Sequence, residues 1–223
     1  MKTKEVILIG GGGHAHSLLE FSGDTIKGYI ATEENPTMEV PLLGSDADAD
    51  KFIGEENLFH VAYVYSKLPT MEAREKLLRR YIESGARFVS LIAPTAIITP
   101  NSVIGEGCAV MNGAIINRAV LGRHVIVNSG AIVEHDCNIG ANSFIGPGAI
   151  IGGFTTIGKN CFIGLGAKIA NGITIRDNIS VAMGAVVSHD LTEPGIYHGP
   201  HLKLFRPKSS TPFRETISNQ SQK

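Results

Sequence analysis

One histidine in the sequence has neighbours that suit it to work as a base. His135 lies in the tripeptide Glu134-His135-Asp136, between two carboxylates. A carboxylate beside an imidazole orients the ring and makes it more basic, which a general base working near neutral pH requires. A solvated histidine on an outer surface is the alternative interpretation. Of the other seven histidines, His189 alone has an adjacent acid, Asp190.

A glycine run near the N-terminus is a second candidate site. Glu5 to Ile9 (EVILI) has the apolar pattern of a buried parallel strand and leads directly into Gly10-Gly11-Gly12-Gly13-His14 and a second apolar stretch. Glycines between a strand and a helix let backbone N–H groups approach an anion at the helix N-terminus. The run therefore predicts a substrate-binding loop, and a simple tight turn is the alternative.

The three cysteines, Cys108, Cys137 and Cys161, are separated by 29 and 24 residues. These spacings match no metal-binding motif, and a metal site or a catalytic thiol is the less favoured interpretation. Free cysteine packs as a small apolar residue, and a buried thiol is normally inert. We expect the cysteines to fill the core and the protein to bind no metal.

The elements that must position His135 repeat with a period of six. A helix would place apolar residues about 3.6 positions apart and a strand about 2. A period of six with glycines between the apolar residues predicts a short strand and a turn, repeated as a hexapeptide β-helix. The repeated positions are Ile92, Ile98, Ile104, Val110, Ile116, Leu121, Val127, Val133, Ile139, Ile145, Ile151, Ile157, Ile163, Ile169, Ile175, Val181 and Val187.

A second register lies four residues after each aliphatic position and holds mostly small residues, including all three cysteines. One rung has no core of its own, so neighbouring coils must bury its aliphatic side chain. With Val133 and Cys137 both facing inwards, His135 is expected to face the outer surface or a neighbouring subunit. The single five-residue step, between Ile116 and Leu121, is expected at a corner or outer turn.

The residues before the repeats alternate between strand and helix patterns, which predicts a small α/β domain at residues 1–88 with about four parallel strands. Further strands are expected at 28–31, 58–65 and 88–92, a loop at 35–50, and a helix capped by Thr70 and stopped by Gly85. The β-helix domain is assigned to 89–191. The C-terminal segment is 192–223, with a disordered tail from 209.

Composition limits the function. The chain has 223 residues, 43% of them hydrophobic and 18% charged, and its formal charge is -1. This balance gives no electrostatic reason to expect a nucleic acid partner. No apolar run is long enough to cross a bilayer or to act as a signal peptide, so we expect no membrane insertion and a cytoplasmic location.

The combination of VILIGGGGHAHSLLE with a hexapeptide array containing VIVNSGAIVEHDCNIGANSFIGPGA and TIGKNCFIGLGAKI resembles the sialic acid O-acetyltransferase (NeuD) family. This family includes the nucleotide-aminosugar N-acetyltransferases of bacterial surface-glycan synthesis. The resemblance implies a left-handed β-helix, a homotrimer, and acetyl-coenzyme A bound between adjacent β-helices. It also implies a sugar or nucleotide-sugar acceptor.

The resemblance implies roles for individual residues. His135 would be the general base, Asp136 would orient it, and Asn128 would lie near the reacting centre. Phe144 stands nine residues after the base, where some relatives carry a histidine that contacts the acetyl thioester. The residues expected along the coenzyme are Gly153, Leu165, Met183, Gly184, Phe144 and Lys168, with Lys203 as a second possible phosphate contact.

Three departures from the family pattern concern binding rather than catalysis. Ala31-Thr32 replaces an acidic pair that holds the nucleotide, a Gly-Asn pair is missing within 62–65, and Gly199-Pro200-His201-Leu202 replaces Gly-Asn-Pro-Ala. We therefore predict an acetyl-coenzyme A dependent sugar acetyltransferase, with the amine of a nucleotide-linked aminosugar as the preferred acceptor. O-acetylation of sialic acid or another non-nucleotide acceptor is the first alternative.

Two further interpretations belong to different classes of protein. A β-helix can serve as a non-catalytic trimeric scaffold or binding module, although the presence of Asn128, His135 and Asp136 argues against a decayed site. A γ-class carbonic anhydrase shares the β-helix but needs three histidine ligands for zinc. His124 and His135 have no third histidine partner in the repeats.

Overall fold

The computed structural model describes residues 5–22, 25–64 and 71–199, together with the backbone of 203–205. The expected disordered tail from 209, the Thr70 cap and the side chain of Lys203 lie outside the described residues. Within the described ranges, no helix has both the length and the hydropathy that a membrane crossing needs.

The N-terminal unit is a four-stranded parallel sheet, as the alternating pattern predicts, with strand order β3-β2-β1-β4. β1 is the buried strand expected from its aliphatic run, and it is central, pairing with β2 on one side and β4 on the other. The strands are β1 (Glu5–Ile9), β2 (Ile26–Ile30), β3 (Leu42–Gly44) and β4 (Asn57–Val61).

The fourth strand of this sheet differs from the prediction. The segment 35–50, expected to be a loop, contains the strand β3 and the first residues of a 3-10 helix at Asp46–Phe52. A three-residue edge strand next to Pro41 has too little alternation to be recognised from sequence. The strand expected at 88–92 is also wrong in part, because Phe88 makes a single bridge to Phe59 while Leu91–Ile92 belongs to the β-helix.

Two helices complete the N-terminal unit: α1 (Gly13–Ser22) follows the glycine run, and α2 (Glu72–Glu83) follows β4. Gly85, the expected stop for α2, has a φ of +83°, which L-residues with a side chain rarely adopt. α2 buries Arg74, Leu78 and Tyr81. The buried arginine places a charge inside the molecule.

The repeats form a left-handed parallel β-helix with three sheets. Sheet 1 contains β5 (Leu91–Ile92), β8 (Ala109–Val110), β11 (Ile126–Val127), β14 (Phe144–Ile145), β17 (Phe162–Ile163), β20 (Ile179–Val181), β22 (Gly195–His198) and the antiparallel β23 (Lys203–Phe205). Sheet 2 contains β6 (Ile97–Ile98), β9 (Ile115–Ile116), β12 (Ile132–Val133), β15 (Ile150–Ile151), β18 (Lys168–Ile169) and β21 (Val186–Val187). Sheet 3 contains β7 (Val103–Ile104), β10 (Val120–Leu121), β13 (Asn138–Ile139), β16 (Thr156–Ile157) and β19 (Thr174–Ile175).

The core of the β-helix contains both predicted registers. From Val110 to Val187 the aliphatic positions are buried, and the three cysteines pack among them. Burial raises the pKa of Cys108 to about 11 and that of Cys161 to about 12, so both stay protonated at neutral pH. Ile92 is different, with 43% of its surface exposed. It lies in the first coil, which has no coil beneath it to complete its burial.

The five-residue step lies at a corner, as expected, in the turn Asn117-Arg118 between β9 and β10. One coil above, the corresponding turn is Glu134-His135-Asp136, and Asp136 donates its backbone N–H to the Arg118 carbonyl at 3.1 Å. Arg118 therefore stacks under Asp136, and the shortened turn has no residue that corresponds to His135.

The N-terminal unit packs against the outer face of sheet 1. The outward residues Phe144 and Phe162 stack with ring centroids 4.8 Å apart and planes within 5° of parallel. They belong to one apolar cluster with Leu8 of β1 and Leu18 of α1. This shared core fixes the glycine loop relative to the β-helix.

A buried polar cluster lies at the same junction. Arg74 of α2 donates to the carbonyl oxygens of Tyr63 and His124 and to the side-chain oxygen of Asn142. In the described part of the chain it pairs with no carboxylate, and burial lowers its pKa to about 10. His14 and His60 are close enough that the charge of Arg74 lowers their pKa values further.

We expect this cluster to make the fold sensitive to acid. Burial lowers the pKa of His60 to about 4, whereas an unfolded histidine titrates near 6.5. Between these values the unfolded chain binds a proton that the folded chain does not, so stability is complete above pH 6.5 and falls as the pH drops towards 4. By pH 5 this histidine alone removes about 2 kcal/mol of unfolding free energy.

Thermal unfolding of wild type and His60→Phe at pH 7 and pH 5 tests this expectation. The variant should lose less stability between the two pH values, although the loss of the Nδ1 hydrogen bond to Val89 lowers its stability at pH 7. His189→Phe, at an exposed histidine, is the matched control and should behave like wild type. Equal acid sensitivity in wild type and His60→Phe would contradict the assignment.

Candidate active site

His135 lies on the outer surface, in the turn between β12 of sheet 2 and β13 of sheet 3. Its side chain is 44% exposed, and its Nδ1 lies 3.0 Å from Oδ2 of Asp136. A carboxylate at this distance accepts a hydrogen bond from Nδ1–H, and in that tautomer Nε2 carries the lone pair of a base. Nε2 makes no hydrogen bond within the described residues. The imidazole is therefore oriented at one nitrogen and available at the other.

Asp136 is held as an anion by two donors. Arg118 Nη2 donates to Oδ1 at 2.8 Å, while the His135 ring occupies Oδ2. The hydrogen bonds from His135 and Arg118 lower the pKa of Asp136 below its ordinary value. Glu134 faces differently, because its Oε2 accepts from the side chain of Asn117 and from the backbone of His135. Of the two neighbouring carboxylates, Asp136 orients the imidazole, and Glu134 stabilises the turn.

Two residues of the next coil enclose the other side of the imidazole. A Cβ at Gly153 would lie 2.8 Å from both Cε1 and Nε2 of His135, so a larger residue would displace the ring from this orientation. Phe154 packs edge-on, with ring centroids 5.0 Å apart and planes at 89°. The resemblance places Gly153 along the coenzyme; in the fold it lies beside the base.

The other residues expected at the site occupy a different corner. Asn128 lies in the turn between β11 and β12, at the far end of β12 from His135, and its side-chain oxygen accepts from the backbone of Ser129 at 2.8 Å. Leu165, Met183 and Gly184 lie in the turns stacked above it and are exposed. A single chain therefore places the expected site residues at two corners, one at each end of sheet 2.

Phe144 and Lys168 point in different directions. Phe144 is buried between sheet 1 and the N-terminal unit, so within one chain it lines no open surface. Lys168 lies in β18 of sheet 2 with an exposed side chain. It shares the outer face of that sheet with Ile132 and Ile150, which lie between the two corners.

A pocket of about 350 Å³ opens beside the glycine run. It lies at the carboxyl ends of β1, β2 and β4, the place where parallel α/β sheets bind their ligands. Gly10 and Gly11 contribute to it, and the amide of Asn35 donates to the Gly11 carbonyl at 2.7 Å. The lining residues are Ile9, Gly10, Gly11, Ile30, Ala31, Thr32, Asp46, Tyr63, Ala73 and Leu77.

The rest of the predicted loop divides into two parts. Gly12 and Gly13 have open space where a side chain would be, and Gly13 begins α1, whose N-terminus attracts anions. His14 is turned inwards, where burial lowers its pKa to about 3. Its Nε2 is buried without a hydrogen-bond partner among the described residues, and the ring does not line the pocket.

The sequence interpretation missed three residues of these sites. Arg118 and Phe154 contact the His135-Asp136 pair from the coils below and above, which only the 18-residue stacking of coils reveals. Asp46 provides a carboxylate in the pocket, and Tyr81 donates to its Oδ1 at 2.8 Å. Asp46 was missed because it follows β3, a strand that the sequence did not predict.

The histidines that the structure describes do not converge on a zinc site. His124 is buried at the junction with the N-terminal unit, edge-on to Phe88, whereas His135 is on the outer surface. In the described ranges, no three His, Cys, Asp or Glu side chains converge as ligands for a metal. The site around His135 instead has the parts for proton transfer, with an oriented imidazole and an ionised carboxylate.

Comparisons with known proteins agree with the repeats and the fold. Residues 118–153 match the family described as bacterial transferase hexapeptide (six repeats), and residues 155–189 match the hexapeptide repeat of succinyl-transferase. The structure of PerB from Caulobacter crescentus in complex with CoA and GDP-perosamine is 31% identical, with a TM-score of 0.82 over 91% of this chain and 97% of PerB.

Two further structures resemble most of the chain. The acetyltransferase domain of PglB from Neisseria gonorrhoeae, also solved with acetyl coenzyme A, is 27% identical, with a TM-score of 0.82 over 91% of this chain and all of that domain. WeeI from Acinetobacter baumannii, at 20% identity, has a TM-score of 0.78 over 91% of this chain and 100% of that one. The similarity to WeeI concerns the fold alone.

Proposed function

This chain belongs to the hexapeptide-repeat transferases, and we propose that it transfers the acetyl group of acetyl-coenzyme A to the amine of a nucleotide-linked aminosugar. The observation that carries the proposal is the His135-Asp136 pair, in which Nδ1 is bound to the carboxylate and Nε2 makes no hydrogen bond among the described residues. PerB, whose structure contains CoA and GDP-perosamine, supports both substrates. The structure of the PglB domain with acetyl coenzyme A supports the donor.

The mechanism follows from the two nitrogens of His135. As the acceptor amine attacks the thioester carbonyl, Nε2 takes the proton that the amine loses, and it returns a proton to the sulfur that leaves. Asp136 stays ionised and stabilises the imidazolium formed between these steps. A base of this kind contributes about two to four orders of magnitude to the rate. Close placement of the two substrates supplies much of the remainder.

The pocket beside the glycine run is proposed to hold the nucleotide. Gly10 and Gly11 bring backbone close to its wall, and the N-terminus of α1 favours the charge of a diphosphate. Ala31-Thr32 stands where the NeuD family carries an acidic pair that holds the nucleotide. Asp46 supplies a carboxylate to the same pocket from another segment, where it can accept hydrogen bonds from a ribose or a base. We therefore keep a nucleotide in the proposal.

We further propose that the enzyme is a homotrimer. Asn128, Leu165 and Met183 lie at one corner of the β-helix and His135 at another, so a second chain is needed to bring the two sets together. The outer face of sheet 2, between these corners, carries a row of partly or fully exposed apolar residues that suits a subunit contact. The row is Ile97, Ile115, Ile132, Ile150 and Val186, and Lys168 lies between the last two.

Light scattering tests the trimer. The wild type should have three times the mass of the chain, and Ile132→Lys, which puts a charge into the row, should shift it to a single chain. Thr156→Lys, on the exposed face of sheet 3, is the matched control and should remain a trimer. A wild type that runs as a monomer would remove the two-chain site from the proposal.

The reaction is tested by measuring thiol release from acetyl-coenzyme A with GDP-, UDP- and dTDP-linked aminosugars and with free sialic acid. We expect turnover with one nucleotide-linked aminosugar. Activity on the free sugar alone would replace the proposal with O-acetylation of a non-nucleotide acceptor. Silence with every acceptor would favour a trimeric binding module without catalysis.

A further inference from the structure

Seven non-glycine residues in the described chain have the left-handed backbone conformation, with φ between +47° and +61°. Asn, Asp and His adopt this conformation more readily than other residues with a side chain, and bulky residues adopt it at a cost. Five of the seven belong to these tolerant types. The other two are Arg118 and Phe154, with φ of +47° and +60°.

Both unfavourable residues flank the proposed base. Arg118, Asp136 and Phe154 are spaced by 18 residues, one full coil of the β-helix, and stack at the same corner. The next coil places Gly172 there, with a φ of +70°, so the turn itself accepts glycine. Strain at an observed outlier is commonly linked to function. The two strained side chains contact Asp136 from below and His135 from above.

Phe154 closes the space that Gly153 opens. Because Gly153 has no Cβ, the His135 ring lies close to the backbone of the next coil. The space that the missing Cβ leaves would allow the ring to rotate if Phe154 did not pack against it. The Phe154 ring packs edge-on against it, and the Phe154 N–H donates to the His135 carbonyl at 2.9 Å. The hydrogen bond from Nδ1 to Asp136 holds one edge of the imidazole, and the Phe154 ring limits rotation of the imidazole to other rotamers.

We propose that Phe154 is a positioning residue for His135, retained in a strained conformation because its ring keeps the imidazole in one rotamer. Phe154 is 64% exposed in the single chain, so packing in the core of its own chain does not explain the residue. The inference deepens the proposed function, on which it rests for its kinetic consequence. Its structural consequence, one fixed rotamer, can be measured without any substrate.

The test replaces Phe154 with asparagine, which tolerates the backbone conformation but lacks the ring, and with tyrosine, which keeps the ring. In Phe154→Asn we expect an unchanged or higher melting temperature, a turnover number lower by about tenfold, and KM values for both substrates within about twofold of wild type. Phe154→Tyr should retain wild-type turnover. High-resolution crystal structures should show His135 in more than one rotamer in the asparagine variant and in one rotamer in the other two proteins.

Several results would overturn the proposal. A turnover number that is unchanged in Phe154→Asn would remove the kinetic role, and a fall in turnover matched by a fall in melting temperature would assign the ring to stability. A rise in KM for one substrate with turnover intact would make Phe154 a contact of that substrate. If the wild type acetylates nothing, the proposed function fails, and the rotamer of His135 in the crystals still decides the role of Phe154.

Discussion

Replacement of His135 by alanine should lower turnover by about two to four orders of magnitude and leave the assembly intact. The reason lies in the geometry of the pair. Asp136 binds Nδ1, so Nε2 is the atom available to take a proton from the acceptor. The side chain is 44% exposed and contributes little to the core, so its removal should not affect folding.

His189→Ala is the matched control, because His189 is also followed by an aspartate and lies at the same corner, three coils above His135. Its aspartate has a different partner, since Asp190 Oδ1 accepts the backbone N–H of Thr174 at 2.7 Å. The control should keep wild-type turnover. Initial rates at saturating substrate, with the mass of both variants checked by light scattering, make the comparison. A His135→Ala variant that retains turnover would end the assignment of the base.

The β-helix was predictable because each of its positions repeats. Counting in sixes from Ile92 gives the inward residue of nearly every strand, and counting two residues past Val133 places His135 on the outside. The same counting locates the five-residue step at the turn beneath His135. Such a pattern needs no knowledge of long-range contacts, because each coil packs on a copy of itself.

Features that depend on distant segments were not predictable in this way. The buried cluster at Arg74 exists because α2 packs against the corner that holds His124 and Asn142, which are 50 and 68 residues further along the chain. β3 has no pattern of its own and forms only because β2 offers an edge.

Phe154 was missed for a different reason. Bulky aromatic residues rarely adopt the left-handed conformation, so the sequence gives no reason to expect a phenylalanine at this position of the turn. The family resemblance assigns Asn128 and His135 to one reacting centre, and only the fold shows that they lie at different corners of one chain. The separation of these two corners is what the homotrimer implied by the resemblance would have to bridge.

Replacement of Ile145 by aspartate should abolish the folded β-helix. Ile145 is completely buried in β14 and pairs with Val127 below and Ile163 above. The change removes about 1.5 to 3 kcal/mol of apolar burial and adds an unpaired charge that costs several kcal/mol more. A typical domain has a total stability of only about 5 to 15 kcal/mol. We expect no soluble, cooperatively unfolding protein by circular dichroism and size-exclusion chromatography.

Two control variants separate the charge from the position. Thr156→Asp puts the same charge on the exposed side of β16 and should leave the melting temperature within a few degrees of wild type. Ile145→Leu keeps the volume of the buried side chain and should cost less than about 1.5 kcal/mol. If Ile145→Asp instead gave a soluble trimer with a cooperative transition, the aspartate would have to reach water through an opening in the coil. The stacked aliphatic core would then not be what holds the repeats together.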